Sequence, residues 1–482
     1  METYRKEKNK ILLIEPPSSY QYGTVRILGS MGSYKTDMAW PPYDLMIIGG
    51  YFKTKNINFE IIDANAYKIT LEGIKKIIFE RNPEMVIFNV TVPTLDSDMR
   101  IAGIVKEISP KIFTAAFNLS IKSCRVNVLE KYKDLDFLVY SEPELPLYEL
   151  ILNQYCPIGV RGIHYREKDL VKKNEEYPKP VNLDIFGIPA QENLSFDVYR
   201  DPLIKQRPMT IVNCSRGCSG ICDHCLSIFQ RPLRYRSVEN VIEELDKVKS
   251  LSINEIKFFD CGLTNNIEWA DSLFEKMIKK NYNFSWNCNS RADCLPSDTL
   301  KLMKKSGCHT ISIGSESANQ QILNRMNKRI KVEQVKATVK NVRKVGIAPM
   351  LYFTFGLPGE NKDTIRESIE FAKAMNPDIV TFGIAVPVYG TPFYDYLEKN
   401  GYLMNLNDKV YDPNNLPPYS YPGLSSQEIY DMSRQAYRQF YMRFSYIIGR
   451  LFRIRNFKDF ENNWLNFRAF LQRYVCREEN CE

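Results

Sequence analysis

The chain has 482 residues, which at roughly 150 residues per domain predicts about three domains and excludes a single small binding module. Hydrophobic residues make up 44% and charged residues 25%, ordinary soluble usage that excludes disordered and fibrous classes. The net charge of +8 is a mild excess and gives no indication of nucleic-acid binding. No stretch reaches the roughly 20 apolar residues that span a bilayer. Residues 1–10 are polar and charged, unlike a secretory leader, so we expect a cytoplasmic protein.

Residues 10–154 alternate short aliphatic runs with segments of helical length, which is typical of an α/β fold with a parallel sheet. Five βα units suit a flavodoxin-like doubly wound sheet, whose ligand lies beyond the carboxyl ends of the strands. The predicted strands are 11–14, 59–63, 85–89, 112–117 and 137–139. The predicted helices are 43–53, 71–80, 97–108, 124–131 and 145–152.

A second βα series follows a stretch rich in prolines and charges, which we interpret as a linker with one candidate hairpin near 159–165. All strands of this series except the last precede a helical pattern, so we predict a partial (βα)6 TIM-type barrel with its active site at the carboxyl ends of the strands. A Pro-rich loop and a helical tail complete the chain. The predicted strands are 210–213, 255–260, 284–287, 310–314, 349–355 and 379–385. The predicted domains are 1–155, the linker 156–207, 208–400 and the tail 401–482.

The spacing of the cysteines predicts an iron–sulfur cluster. The chain has 12 cysteines, which in a reducing cytoplasm indicate metal or redox chemistry more than disulfides. Cys218, Cys222 and Cys225 follow the first strand of the second series, and three thiolates at this spacing can ligate three irons of a [4Fe–4S] cube. The fourth iron stays open to an external ligand. A structural zinc site is the alternative, but it needs four ligands, and no second Cys/His pair with suitable spacing follows.

With these cysteines, preceded by Ser-Arg-Gly at 215–217, the sequence resembles the radical S-adenosylmethionine (SAM) enzymes. It is most similar to the branch that has an N-terminal cobalamin-binding domain. The resemblance implies that Cys218, Cys222 and Cys225 hold the cluster and that SAM chelates its open iron. An electron then cleaves SAM to methionine and a 5′-deoxyadenosyl radical.

Further stretches resemble the SAM site of the family, namely 259–262, 286–293 and 313–317. The resemblance implies four SAM-binding residues, which are His224, Asp260, Arg291 and Glu316. His224 stands where a ring-bearing residue usually packs against adenine. In isolation, Glu316 is also consistent with a charge at a helix N-terminus, and Arg291 with a solvated surface charge.

Two more segments are typical of the branch, Gly-Leu-Pro-Gly-Glu at 356–360 and Pro-Val-Tyr-Gly-Thr-Pro at 387–392. The first is also consistent with a plain turn and helix start. Cys214 departs from the branch, and we interpret it as a buried thiol, with an auxiliary ligand as the alternative. Cys476 and Cys481 belong to an exposed tail or, alternatively, form a redox pair.

The first domain resembles the cobalamin domain of the branch at 11–17, 40–45, 61–64 and 141–144. The Asp-x-His-x-x-Gly signature of other cobalamin proteins is absent, and the three histidines of the chain lie outside residues 1–155. The resemblance therefore implies that the first domain binds cobalamin without a histidine on cobalt. A vestigial domain that binds no cobalamin is the alternative. The residues expected to contact cobalamin are Pro16, Thr91, Thr94, Asn118, Leu119 and Glu142.

The resemblance implies that the chain methylates an unactivated carbon of a small-molecule, lipid or peptide substrate. The deoxyadenosyl radical would remove a hydrogen and methylcobalamin would donate the methyl group, with electrons from a donor such as flavodoxin or ferredoxin. A radical SAM cyclase or oxidoreductase of the same branch is the first alternative, and a non-catalytic iron–sulfur or cobalamin carrier is the second. The basic, aromatic tail at 425–476 is interpreted as amphipathic helices that lid the barrel, with peripheral contact to an anionic membrane as the alternative.

Overall fold

The computed structural model describes residues 10–19, 23–27, 32–33, 38–124, 127–168, 170–192, 194–404, 415–451, 467–468 and 474. The chain forms two compact units. The first comprises 1–201, 206–217 and 229–256, and the second comprises 202–205, 218–228 and 257–482. Cys476 and Cys481 lie outside the described residues, as does much of the predicted tail.

The elements of the first unit alternate between strands and helices over most of their length. In chain order they are β1 (Ile11–Glu15), β2 (Thr24–Val25), β3 (Gly32–Ser33), α1 (Tyr43–Thr54), β4 (Phe59–Asp63), α2 (Leu71–Arg81), β5 (Met85–Asn89), α3 (Leu95–Asp98), α4 (Arg100–Ile108), β6 (Phe113–Phe117), α5 (Val128–Lys131), β7 (Phe137–Val139), α6 (Glu144–Leu152), β8 (Ile163–Glu167) and β9 (Leu170–Lys173).

These strands form a seven-stranded sheet in the order β4-β1-β5-β6-β7-β8-β9. The first five are parallel, and in chain order they are arranged 2-1-3-4-5. Every residue of β1 and β5 is buried, as expected for parallel strands with helices on both faces. The predicted α/β fold with a parallel sheet is confirmed.

The structure differs from the prediction after β7, where the first part of the predicted linker extends the sheet. β8 pairs antiparallel with β7, and β9 pairs antiparallel with β8. The hairpin expected near 159–165 is formed by β8 and β9 instead. In β8 the buried Ile163 and Tyr165 alternate with the partly buried His164 and Arg166, as in a strand with one face on the core. The predicted helix 97–108 is also divided, into α3 and α4.

The remaining elements follow in chain order. They are β10 (Met209–Val212), β11 (Ser215–Arg216), β12 (Arg234–Tyr235), α7 (Val238–Ser250), β13 (Glu255–Phe258), α8 (Ile267–Lys280), β14 (Ser285–Ser290), α9 (Ser297–Lys305), β15 (Cys308–Glu316), α10 (Gln320–Arg325), α11 (Val332–Lys344), β16 (Ala348–Phe355), α12 (Lys362–Met375), β17 (Ile379–Ile384), α13 (Pro392–Lys399), α14 (Ser426–Tyr441) and α15 (Phe444–Leu451).

The second sheet has six strands in the order β10-β13-β14-β15-β16-β17, which is also their order along the chain. The strands from β14 to β17 pair parallel with their neighbours. A helix also follows the last strand, which the prediction lacked. This helix, α13, has a proline at its first position and Thr391 as its N-cap, which are both favourable at a helix start.

The first helix of the tail, α14, packs on the edge strand β17. Ser425 and Glu428 form a capping box at its start. Ser433 Oγ donates a hydrogen bond to the Phe382 carbonyl at 2.7 Å, and Tyr441 OH donates to the Val380 carbonyl at 2.7 Å. The helix therefore satisfies backbone groups that an edge strand would leave open. Within the described ranges, every helix is too short or too polar to cross a bilayer.

Candidate active site

The three predicted cluster cysteines are free, half-buried thiols in one loop of the second unit. The Gly220 N–H donates to Cys218 Sγ at 3.3 Å, and the Ser227 N–H donates to Cys225 Sγ at 3.5 Å. Asn265 Nδ2 also donates to Cys218 Sγ, at 3.8 Å. Hydrogen bonds to sulfur stabilise thiolates and tune the potentials of iron–sulfur clusters. The donor set therefore fits a [4Fe–4S] cluster.

The part of the chain that the structure describes contains no three His, Cys, Asp or Glu side chains close enough to hold one metal ion. A [4Fe–4S] cluster does not require this convergence, because each cysteine binds a different iron. Another cysteine, Cys261, is an exposed residue near the loop, and its pKa is raised by desolvation of the thiol and then by the nearby Cys225 and Cys218. Cys214 is fully buried and belongs to the first unit.

Three predicted SAM residues lie at the carboxyl ends of strands. Asp260 follows β13, Arg291 follows β14, and Glu316 is the last residue of β15. The Asp260 side chain is buried, and its backbone carbonyl accepts a hydrogen bond from Asn289 Nδ2 at 3.3 Å. Because parallel strands end at the same edge of a sheet, these residues share one side of the second sheet.

Glu316 has an unusual backbone conformation, and its side chain forms an ion pair with Lys328. Its φ is +60°, and the pairing of β15 with β16 shifts register between Gly314 and Glu316. Such irregularities turn a side chain away from the direction that a regular strand would give it. Lys328 Nζ donates to Glu316 Oε1 at 2.8 Å, and Thr354 Oγ1 donates to Glu316 Oε2 at 2.8 Å. Burial alone would raise the pKa of Glu316, but the charges of Lys328 and His224 and the hydrogen bonds from Lys328 and Thr354 together outweigh it, and the pKa is lowered.

Arg291 is fixed on one side and faces the cysteine loop on the other. Its Nε and Nη2 each donate to the Asp293 carboxylate at 2.9 Å, and Nη2 also donates to the Lys328 carbonyl at 3.0 Å. Nη1 faces Gly220, where an added Cβ would lie 3.0 Å from it and 3.4 Å from Cys218 Sγ. The guanidinium is therefore part of the site and not a solvated surface charge.

His224 lies between two of the cysteines, and burial lowers its pKa. Its Nδ1 is buried and has no hydrogen-bond partner among the described residues. The preceding residue anchors the loop, since Asn327 Nδ2 donates to both Asp223 carboxylate oxygens at 2.8 and 2.9 Å. The structure thus brings His224, Arg291 and Glu316 together around Lys328. Burial raises the pKa of Cys222, and the charge of Lys328 offsets part of that rise.

Sequence reasoning missed Lys328, because a lysine in a short connection between two helices matches no catalytic pattern. Its ammonium is buried against Glu316, and that burial identifies it in the structure. Burial would lower the pKa of Lys328, but the charge and hydrogen bond of Glu316 together with the charge of Cys222 outweigh it, and the pKa is raised. Lys328 is therefore a charged member of the site.

The first unit contains a separate pocket, beyond the carboxyl ends of β6 and β7. Asn118, Leu119 and Glu142, predicted as cobalamin contacts, all line it. Phe117, Leu119 and Pro143 give it apolar surface. The lining residues are Asp44, Phe117, Asn118, Leu119, Glu142, Pro143, Glu144, Arg216 and Gln230.

The other three predicted cobalamin contacts, Pro16, Thr91 and Thr94, are not in this lining. They surround a buried ion pair between Arg26 and Asp98. Arg26 Nη1 donates to the Pro16 carbonyl at 3.0 Å, and the Thr91 N–H donates to Asp98 Oδ2 at 3.2 Å. Thr94 Oγ1 donates to the same Asp98 oxygen at 2.5 Å. The Pro16 carbonyl, the Thr91 N–H and the Thr94 hydroxyl therefore have partners within the protein, whereas the buried Thr91 Oγ1 has none among the described residues.

The sequence is similar to those of known proteins over the segment that contains the cysteine loop. The family described as the radical SAM superfamily matches residues 212–372. An uncharacterized methyltransferase of Pyrococcus horikoshii is 30% identical over 454 residues, which cover 93% of this chain and 96% of that protein. The anaerobic magnesium-protoporphyrin IX monomethyl ester cyclase of Rubrivivax gelatinosus is 25% identical over 455 residues, which cover 91% and 78% respectively.

The chain is also similar in fold to the radical SAM methyltransferase TsrM from Kitasatospora setae, whose structure has cobalamin and a [4Fe–4S] cluster bound. The TM-score is 0.67, with 15% sequence identity over 89% of this chain and 81% of that chain.

Proposed function

This chain belongs to the radical SAM superfamily of enzymes, and from that premise we propose that it methylates an unactivated carbon with a [4Fe–4S] cluster, SAM and cobalamin. One observation carries the proposal: three thiols, two of which accept N–H donors, lie in one loop, and Arg291 Nη1 faces that loop beside Cys218. When bound, the cluster supplies the electron that cleaves SAM, and cobalamin supplies the methyl group.

In this proposal Cys218, Cys222 and Cys225 hold the cluster, and the ends of the second sheet hold SAM. Glu316 is an anion fixed by Lys328 and Thr354, so it can accept hydrogen bonds from amino or hydroxyl groups of SAM. Arg291 presents Nη1 next to the cysteine loop, where it can donate to the SAM carboxylate. His224 offers a ring for packing against adenine, and Asp260 offers a second carboxylate.

We assign cobalamin to the pocket of the first unit. Two features support this. The strand arrangement 2-1-3-4-5 is that of flavodoxin-like sheets, which bind ligands beyond the carboxyl ends of their strands, and the pocket lies there. The second is that no histidine among the described residues lines the pocket, since His164 of the first unit lies on β8 and stacks on the Tyr140 ring, so we expect cobalt without an imidazole ligand. We likewise propose a partial barrel for the second series, and a first domain in which β8 and β9 extend the predicted range 1–155.

Ring closure or oxidation is the second candidate function. It is favoured by the 25% identical relative named a cyclase, of which the match covers 78%. Both candidates use the same site, since fold and cofactors do not decide which bond is made. The substrate class we propose is a small molecule, lipid or peptide, and the electron donor is a flavodoxin or ferredoxin.

The test is anaerobic reconstitution with iron, sulfide and hydroxocobalamin, followed by reduction in the presence of SAM. We expect 5′-deoxyadenosine, and a cobalt(II) resonance without nitrogen splitting from a protein imidazole. A reconstituted cluster that never cleaves SAM would overturn the assignment. Cleavage of SAM without retention of cobalamin would remove methyl transfer and favour the second candidate.

A further inference from the structure

The loop that carries the cysteines has a narrow neck, and the neck lies in the first unit. Its two sides are β11 and β12, which pair antiparallel with Arg216 directly opposite Arg234. Gly217 follows with φ +89°, and a Cβ added there would lie 2.6 Å from the Pro232 carbonyl oxygen. Only glycine permits this approach, so the two sides of the neck are in close backbone contact.

Two buried arginines directly opposite each other would repel, but the Glu142 carboxylate bridges them and Glu144 pairs with Arg216. Glu142 accepts from Arg216 Nη1 at 2.8 Å and from Arg234 Nη1 at 3.1 Å. Glu144 accepts from Arg216 Nη1 at 3.2 Å, and from Nη2 as well. All four side chains are buried. The group has two positive and two negative charges, and Glu142 is the member shared by both sides of the neck.

Further contacts hold the second side of the neck. Lys179 Nζ donates to the Phe229 carbonyl at 2.8 Å and to the Arg231 carbonyl at 2.6 Å. Arg234 Nη1 also donates to the Pro180 carbonyl at 3.0 Å. Residues 179 and 180 thus anchor the chain at the point where it leaves the cysteine loop.

The charged group at the neck is also a wall of the pocket in the first unit. Glu142, Glu144 and Arg216 line the pocket, and Gln230 from the second side of the neck lines it too. A ligand in the pocket would therefore touch the residues that hold the neck closed. A ligand that covers these side chains excludes water from the ion pairs, and because charges attract more strongly away from water, it would strengthen that hold.

We propose that Glu142 and Glu144 are positioning residues for the cysteine loop: they hold Arg216 and Arg234 together at its neck, and a ligand in the pocket reinforces that hold. The neck thereby fixes where the chain enters and leaves the segment that contains Cys218, Cys222 and Cys225. The proposal rests on the proposed function only for the identity of the pocket ligand and of the cluster.

The test uses the full chain without cluster, so that loop geometry is measured apart from activity. Alkylation of each cysteine by a maleimide is followed by mass spectrometry in the wild type, Glu142→Gln and Glu142→Asp. In Glu142→Gln we expect the three loop cysteines to react on the order of threefold faster or more, since the neck opens locally. Glu142→Asp, which keeps the charge, should recover part of the wild-type rate.

Exposed Cys156 is the internal reference and should not change. The matched control is Glu149→Gln on α6, the helix that begins two residues after Glu142, because Glu149 accepts a hydrogen bond from the Tyr177 hydroxyl at 2.6 Å and from no neck residue. If buried Cys214 also gains reactivity, Glu142→Gln has unfolded, and Glu144→Gln, which leaves the partner of Arg234 in place, decides. Unchanged loop reactivity in the variant that stays folded overturns the proposal.

The role of the pocket is tested with hydroxocobalamin as the probe. We expect it to slow alkylation of the loop cysteines in the wild type and to have less effect in Glu142→Gln. Binding without any slowing overturns the coupling. If the wild type does not bind the probe, the cobalamin part of the proposed function fails, while the comparison of variants still decides whether Glu142 and Glu144 position the loop.

Discussion

Lys328 Nζ lies 2.8 Å from Glu316 Oε1, and this contact is shielded from water at the carboxyl end of β15. A carboxylate paired in this way stays ionised and keeps one orientation. It can therefore offer a fixed acceptor to a cationic ligand. Because Lys328 already neutralises this carboxylate, Glu316 attracts a second cation less strongly than an unpaired carboxylate would.

The first prediction concerns the strength of this site for SAM. Losing a charge-assisted hydrogen bond costs roughly 1.5–3 kcal/mol, so Glu316→Ala should weaken SAM binding about tenfold to a hundredfold. Arg291→Ala should act in the same direction. Anaerobic equilibrium binding to cluster-loaded protein measures both. The control is Glu333→Gln, which alters an exposed pair with Lys336. Equal SAM affinity in all of these proteins would refute the placement.

The second prediction concerns Gly314. A Cβ added there would lie 2.7 Å from Glu316 Oε1 and 2.9 Å from Lys328 Nζ, so Gly314→Ala must push the pair apart. We expect several-fold weaker SAM binding with unchanged iron content. Gly383→Ala is the matched control, because its Cβ would meet the Phe353 carbonyl at an ordinary 3.7 Å. SAM affinity equal to that of the control would show that the ion pair is dispensable.

The third prediction separates cluster ligands from other cysteines. We expect about four irons and four sulfides per chain after anaerobic reconstitution. Replacing Cys218, Cys222 or Cys225 with Ala should abolish SAM cleavage and most iron binding, whereas Cys214→Ala should keep both. Metal analysis and absorbance measure the outcome. Loss of the cluster in Cys214→Ala, or zinc in place of iron, would contradict the ligand assignment.

The fourth prediction is a pH dependence of stability at Glu360. Its Oε2 accepts the backbone N–H groups of Gly356 and Leu357 at 2.7 and 3.0 Å, and burial raises its pKa to about 8. A carboxyl with a higher pKa in the folded than in the unfolded chain binds more protons when folded. Its contribution to stability is therefore greatest at low pH and falls as pH rises from the ordinary value of 4.5 to about 8.

Glu360→Gln cannot titrate, yet its amide oxygen can accept the same two N–H groups. Its melting temperature relative to the wild type should therefore increase by a few degrees between about pH 5 and about pH 9. Thermal denaturation at both pH values measures the difference. The exposed Glu370, on the helix that follows, is the control as Glu370→Gln. A constant difference across this range would rule out a buried, titrating carboxyl.

Much of the fold was predictable, because buried strands in a parallel sheet are continuous apolar runs. The predicted strands at 59–63, 85–89 and 137–139 match β4, β5 and β7 in both bounds. Helix bounds were less predictable. The predicted helix 124–131 is only Val128–Lys131, since a 3-10 turn at Leu119–Ser123, capped by Asn118, precedes it.

The cysteine spacing is local in sequence, so the candidate ligands could be read from it directly. Contacts between distant residues could not. Glu142 and Arg216 are 74 positions apart, and no pattern in either segment indicates their pairing. The same holds for Thr91 and Thr94, whose partner Asp98 is satisfied by Arg26 from another part of the chain.

The hairpin of β8 and β9 has a consequence for solubility at high concentration. Without it, β7 would present a row of open backbone groups, which are a template for strand addition and aggregation. β9 is instead the outermost strand on that side, and only one of its residues, Val171, is even partly buried among exposed neighbours. Its Lys172 and Lys173 place two positive charges where another chain would have to pair. Removing residues 163–173 should therefore expose β7 as an edge strand and promote aggregation.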